Sequence, residues 1–166
     1  MRIPFRSERG ISMVEALVAL VVLSVGMLGI AGLYVTSVKT NRSALLRTQA
    51  VNFVNDMADR IRANGSARGA YDLAGYGGAP VTHNCVAAVC TTEFLAEDDL
   101  QRWLAALTAP ASGLPGTGVG GNVIYTAAAS GGLPDQYTIS VRWREAGDTA
   151  DSTYATNLLL IAVPSP

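Results

Sequence analysis

Residues 9–38 read RGISMVEALVALVVLSVGMLGIAGLYVTSV, an arginine and a glycine ahead of a long apolar run. One carboxylate, Glu15, opens an apolar run that carries no charged residue from Ala16 to Val38, 23 positions in all. About 20 such residues suffice for one membrane-crossing helix. An ionisable group inside a membrane segment costs about 2.5–3.5 kcal/mol at the bilayer centre and less near an interface. Plain anchoring does not require that cost. Glu15 therefore asks for a partner, and Gly10, five positions before it, suggests which one.

The flanks predict the topology. Arg2, Arg6 and Arg9 precede the apolar run, and the positive-inside rule keeps that end in the cytoplasm. The remainder then lies across the membrane, in a periplasm or its equivalent. A secretory signal peptide shares this order of basic, apolar and small residues, but its apolar core spans only about 7–15 residues and is followed by the cleavage point. Here the run is longer and the expected cut precedes it, so the apolar segment is retained. Removal of residues 1–10 takes away three arginines and Glu8, moving the net charge from −1 to −3. With that balance and a pI of about 5.7, nothing recommends nucleic acid as a partner.

With 166 residues there is room for one membrane helix and one small domain. No proline occurs from Ile11 to Asn64, and Gly65 supplies a stop signal. The pattern predicts one helix of 54 residues over that range, roughly 80 Å at 1.5 Å per residue. Its first half is apolar all round. In its second half Val51, Val54, Met57, Ala58 and Ile61 form an apolar stripe at spacings of three and four, while Asn52, Asn55, Asp56, Asp59 and Arg62 take other faces. Asp56 and Arg60 make an i,i+4 pair of favourable orientation.

Residues 65–90 read as irregular. A second helix is expected from about Thr92 to Leu107, with Leu100, Trp103, Leu104 and Leu107 on its apolar face and Pro110 barring continuation. Residues 111–121, rich in glycine, form a loop that reads as a flexible surface connection. Strands are expected at Val123–Ala128, through Tyr137–Trp143 and at Thr153–Val163. In the second of these Tyr137, Ile139, Val141 and Trp143 alternate with polar residues, one buried face at period two. The connections Ser130–Pro134 and Gly147–Asp151 suit antiparallel neighbours. Such a sheet needs cover, and the amphipathic stripe supplies it. The expected class is α+β: a long N-terminal helix packed on a small antiparallel sheet with a second short helix.

Gly10-Ile11-Ser12-Met13-Val14-Glu15, set before an apolar helix, resembles the type IV prepilins and related pseudopilins. Within that family, Met13 to Leu20 followed by Gly26-Met27-Leu28-Gly29-Ile30-Ala31-Gly32-Leu33 is most similar to PilV-type minor pilins. The resemblance is strong over residues 9–35 and supportive at Cys90–Glu93, Asp99–Trp103 and Tyr137–Trp143. It implies the organisation 1–10 prepilin leader, 11–38 membrane and assembly helix, 39–64 amphipathic half of the same helix, and 65–166 periplasmic globular domain. It implies that prepilin peptidase cuts between Gly10 and Ile11 and N-methylates Ile11, where many relatives carry Phe. The carboxylate of Glu15 would then pair with the Ile11 ammonium of a neighbouring subunit or of its own chain, an attraction that strengthens where water is scarce. Major pilins usually carry proline at the position of Gly32, and its absence here favours a minor subunit. Implied partners are the peptidase, other minor pilins, the major pilin, the inner-membrane assembly platform and inner-membrane lipid. The implied function is pilus biogenesis supporting twitching motility and adhesion.

Gly26, Gly29 and Gly32 lie in the apolar half. Small residues permit close helix–helix approach in membranes, though glycine is also simply commoner there. The alternatives to a minor pilin are a minor pseudopilin of a type II secretion system, which shares the leader chemistry, and a membrane-anchored periplasmic enzyme. The inventory for the last is poor. His83 is the only histidine and reads as a solvated loop residue. His83, Cys85 and Cys90 lack the paired spacings and fourth ligand of a structural zinc site. A Cys85–Cys90 disulfide, stabilising by roughly 2 kcal/mol for so small a loop, is the better reading. Glu97-Asp98-Asp99 reads as early-helix acidity complementing the dipole rather than a calcium loop. Residues 113–121 lack the Lys-Ser/Thr pair of a phosphate loop. Trp103 and Trp143 sit on apolar faces and read as core. No cofactor is expected.

Overall fold

The computed structural model describes residues 10–73, 75–76, 83–128, 134–145, 147 and 149–160, the side chains of 157–160 excepted. Most of the expected leader, most of the connection before Pro134 and the end of the expected third strand lie outside these residues. The chain divides into two compact units, Met1–Arg42 and Ser43–Pro166. Helix α1 (Met13–Ala63) contributes to both.

In the first unit α1 begins at Met13, two residues later than expected. Ser12 stops the helix from starting earlier: its Oγ accepts the Val14 N–H (3.3 Å) and its carbonyl accepts that of Ala16. Helix N-termini leave such donors without intrahelical partners, and serine is a favoured cap. Every residue from Gly10 to Arg42 is exposed. Ser24, Thr36 and Thr40 turn their hydroxyls back onto carbonyls of the same helix. By length and composition this helix suffices to cross a membrane.

The second unit is an α+β arrangement. Helix α1 supplies Leu46, Ala50, Val54, Met57, Ala58 and Ile61 to its core. The stripe differs from expectation: Val51 is only half-buried, while Leu46 and Ala50 extend the buried row backward in steps of four. Residues 46, 50, 54, 57 and 61 share one face, and Val51 lies about 100° from Ala50 on a helix of 3.6 residues per turn.

Residues 65–71, expected to be irregular, instead form two short 3-10 turns within Gly65–Tyr71, broken at Arg68 where the backbone is non-helical (φ 42°, ψ −113°), and bury Ala67 and Tyr71. Helix α2 (Thr92–Thr108) closely follows expectation and is capped by Thr91, whose side chain accepts the Phe94 N–H. It buries Ala96, Leu100, Trp103 and Leu107. Pro110 does end it, but as the first residue of a 3-10 turn, Pro110–Ser112, that closes at Gly113 with φ 72°. The following loop is not a free surface connection: Leu114 is buried and the Pro115 carbonyl accepts the Arg144 N–H.

Three strands, β1 (Gly120–Thr126), β2 (Asp135–Trp143) and β3 (Ser152–Leu160), form an antiparallel sheet in the order β1-β2-β3. Gly121 opposes Val141, Val123 opposes Ile139 and Tyr125 opposes Tyr137. The alternation in β2 is as expected on the core face, where Tyr137, Ile139, Val141 and Trp143 are all buried. Ser140 departs from it, buried on the other face beneath the Tyr76 hydroxyl, which lies 3.0 Å from its Oγ. Strand β1 starts three residues before the expected Val123, with Gly120, Gly121 and Asn122 already paired to Arg142, Val141 and Ser140, and Gly121 lets the Trp103 indole lie directly on the sheet.

Candidate functional site

The N-terminal segment concentrates the residues with chemistry to explain. Glu15 lies in the first turn of α1, where aligned peptide dipoles favour an anion. It is exposed, and a shallow groove beside it runs along the helix past Ser12, Val14, Val18, Ala19, Val22 and Leu23. Ile11 precedes the helix and is 78% exposed. The segment thus carries an acid near an uncovered apolar surface, with Gly10 and Ile11 immediately before it.

Glycine at position 10 has no local cause. A side chain there would meet nothing within 4 Å. Gly26, Gly29 and Gly32 are alike in this: each faces open space. Among the described residues nothing lies close enough to require their lack of a side chain.

Among the polar clusters of the second unit's described residues, three are centred on Asp135, Asp99 and Glu97. At the first, Asp135 is buried and accepts from Arg68 Nε and Nη2 (2.8 and 2.9 Å), the Tyr125 hydroxyl (3.2 Å) and the Ala128 N–H (2.9 Å). The Arg68 guanidinium above all holds this carboxyl down at about 2. Arg68 itself sits at φ 42°, the one non-glycine residue with positive φ among the described residues, and its carbonyl accepts the Tyr137 hydroxyl. Burial pushes the Tyr137 phenol up to about 12. At the second cluster, Asp99 joins Arg60 (2.9 Å) to the Tyr71 hydroxyl (2.8 Å), and Arg60 also makes the expected pair with Asp56 (3.0 Å).

The third cluster corrects the reading of His83. It is not a solvated loop residue: its Nε2 lies 2.8 Å from Glu97 Oε2, and its ring stacks on Phe94 with centroids 4.1 Å apart. The acidic run is likewise more than dipole complement. Glu97 meets His83, Asp98 pairs with Arg102 and Asp99 with Arg60. These partners are 14 to 39 residues away for two of the three, beyond the reach of local pattern. Cys85 and Cys90 form a disulfide, as expected, next to this cluster. Among the described residues no group of acidic, histidine and cysteine side chains is arranged to hold a metal ion. Trp103 and Trp143 are both buried, and the Trp103 indole N–H donates to the Phe53 carbonyl.

The clusters of the second unit are ties between elements, each centred on a buried or half-buried carboxylate. The N-terminal segment is different in kind, with its acid and apolar surface left open. Two family models match the chain there and beyond. The prokaryotic N-terminal methylation motif covers residues 5–31, and the type IV pilin Tt1218 model covers residues 32–101. Together they support a type IV pilin. No curated protein and no solved structure matches the chain. For a type IV pilin, the methylation motif implies processing by prepilin peptidase and incorporation into pili with other pilins. The motif and the apolar helix fit a membrane-anchored protein. The matches point to a structural subunit rather than an enzyme.

Proposed function

We propose that this chain is a minor pilin, a subunit that helps prime or cap a type IV pilus. In this reading residues 1–10 are the leader, 11–38 the membrane and assembly helix, 39–64 its amphipathic continuation and 65–166 the body of a periplasmic domain. The basic end faces the cytoplasm before processing. Prepilin peptidase cuts after Gly10 and methylates Ile11. The open surroundings of Gly10 support this, since a missing side chain there eases access to the backbone by another molecule.

The observation that carries the proposal is Glu15, exposed in the first turn of a helix whose apolar surface is uncovered as far as Arg42. Cleavage creates an ammonium four residues before it. Opposite charges attract strongly where water is scarce, so the acid would mark the axial level at which a neighbouring helix docks. The apolar helix passes from lipid into a bundle of like helices, with Gly26, Gly29 and Gly32 permitting close approach. Gly32, where major pilins usually carry proline, supports the minor role. Partners in this reading are other minor pilins, the major pilin and the assembly platform, with inner-membrane lipid before incorporation.

Mass spectrometry of the membrane-extracted protein is expected to show a chain beginning at methylated Ile11. Glu15→Ala is expected to leave that processing intact while sharply reducing recovery of the subunit in sheared pili. A leader retained in peptidase-competent cells, or normal incorporation of the Ala variant, counts against the proposal.

A further inference from the structure

Nine lysines and arginines fall among the described residues. Six of them, Arg60, Arg62, Arg68, Arg102, Arg142 and Arg144, are each held by a carboxylate. Among the described residues, Lys39, Arg42 and Arg47 have no ion pair or hydrogen bond through their side chains. Arg47 belongs to the second unit. The other two are the only cations of the first unit's described part, exposed and three residues apart, hence neighbours on one helix surface.

Their position gives them a partner. Ala16 to Val38 spans roughly 34 Å at 1.5 Å per residue, against a hydrocarbon core of about 30 Å. The headgroup zone adds about 5–7 Å on each side. Lys39 lies roughly 1.5 Å and Arg42 roughly 6 Å beyond Val38, so both fall within that zone. The nearby hydroxyls of Thr36 and Thr40 are already bonded to their own helix, at 3.0 Å each, and leave the cations as the strong donors at this level. Tyr34, exposed one turn inside, is of the type that settles at such an interface.

We propose that Lys39 and Arg42 form a binding site for the phosphate headgroups of anionic phospholipids in the leaflet at the exit end of the helix. The site rests on the membrane-spanning part of the function proposed above and adds a named lipid class and two named residues. It holds the subunit to its leaflet before assembly, and the lost headgroup contacts oppose its extraction. A basic residue at an anionic surface strengthens attachment by about fivefold, an effect that salt screens.

The test reconstitutes the full chain in phosphatidylcholine vesicles carrying trace spin-labelled phosphatidylglycerol or phosphatidylcholine. Wild type is expected to select phosphatidylglycerol, and 0.5 M salt to weaken the selection. The double variant K39Q/R42Q is expected to lose about fivefold or more of that selectivity, and K39R/R42K to keep it. Since leader arginines contribute equally to both proteins, the difference isolates the two residues. Unchanged selectivity in K39Q/R42Q overturns the site while leaving the spanning helix standing. Release of wild type by alkaline carbonate overturns both. If K39Q/R42Q keeps its lipid selectivity but loses crosslinks to pilus subunits in cells, the pair is a protein-docking surface and the lipid site falls.

Discussion

Asp135 shows how one buried carboxylate ties three parts of the chain. Arg68, the Tyr125 hydroxyl and the Ala128 N–H all converge on it. Its folded pKa of about 2 lies below the ordinary aspartate value near 3.9. The stability it contributes is therefore complete above about pH 4 and is lost as pH falls through about 2. Asp135→Asn is expected to cost about 1–3 kcal/mol at neutral pH, because it turns an amide donor toward donors. The gap between variant and wild type in urea titrations should close from pH 5 down to pH 2; a constant gap would show that the carboxylate's charge is irrelevant. Gly121 makes a steric counterpart. A Cβ there would collide with the six-membered ring of Trp103 and come within 2.9 Å of Leu107 Cδ1. Overpacking of this kind costs about 1–3 kcal/mol, so Gly121→Ala is expected to lower the urea midpoint by that equivalent, with Trp103 fluorescence as the probe. Neither role was legible in the sequence. Asp135 lies 67 residues from Arg68, and glycine at 121 looked like part of a loop.

Elements were far easier to read than the contacts between them. Absence of proline and the stop at Gly65 marked α1 almost to its ends, and the error at its start traces to one serine hydroxyl that caps rather than joins it. Strict alternation revealed the core face of β2, whereas the two 3-10 turns within Gly65–Tyr71, broken at Arg68, carry no period that would announce them. The start of α2 rests on Thr91, whose Oγ1 accepts the Phe94 N–H at 3.3 Å. Loss of such a cap costs about 1 kcal/mol. Thr91→Ala is accordingly expected to destabilise the domain by that amount while Thr91→Ser is nearly neutral, as read from chemical denaturation of both. Equal losses in the two variants would locate the effect in the threonine methyl group instead. The proposed site at the N-terminus was read from spacing alone, since Gly10, Ile11 and Glu15 lie within six consecutive residues and need no tertiary contact to be singled out.

For the molecule as a whole, the distribution of burial is one-sided. Every core residue comes after Ser43, from Leu46 to Trp143. A fragment beginning at Ser43 is therefore expected to be soluble and to unfold cooperatively, with a midpoint within a few degrees of that of the full chain in mild detergent. A fragment that binds hydrophobic dyes and shows no transition would mean the preceding helix is needed for folding. Thiol alkylation of the full chain without reductant should leave both cysteines unlabelled. That cross-link joins residues only five apart in sequence. Its two sulfurs can find each other within one short segment, before any sheet has formed. With no third cysteine in the chain, there is no mispaired isomer to rescue. The bond is thus a seam that an oxidase alone can close, and its timing places no constraint on the order in which the rest of the domain matures.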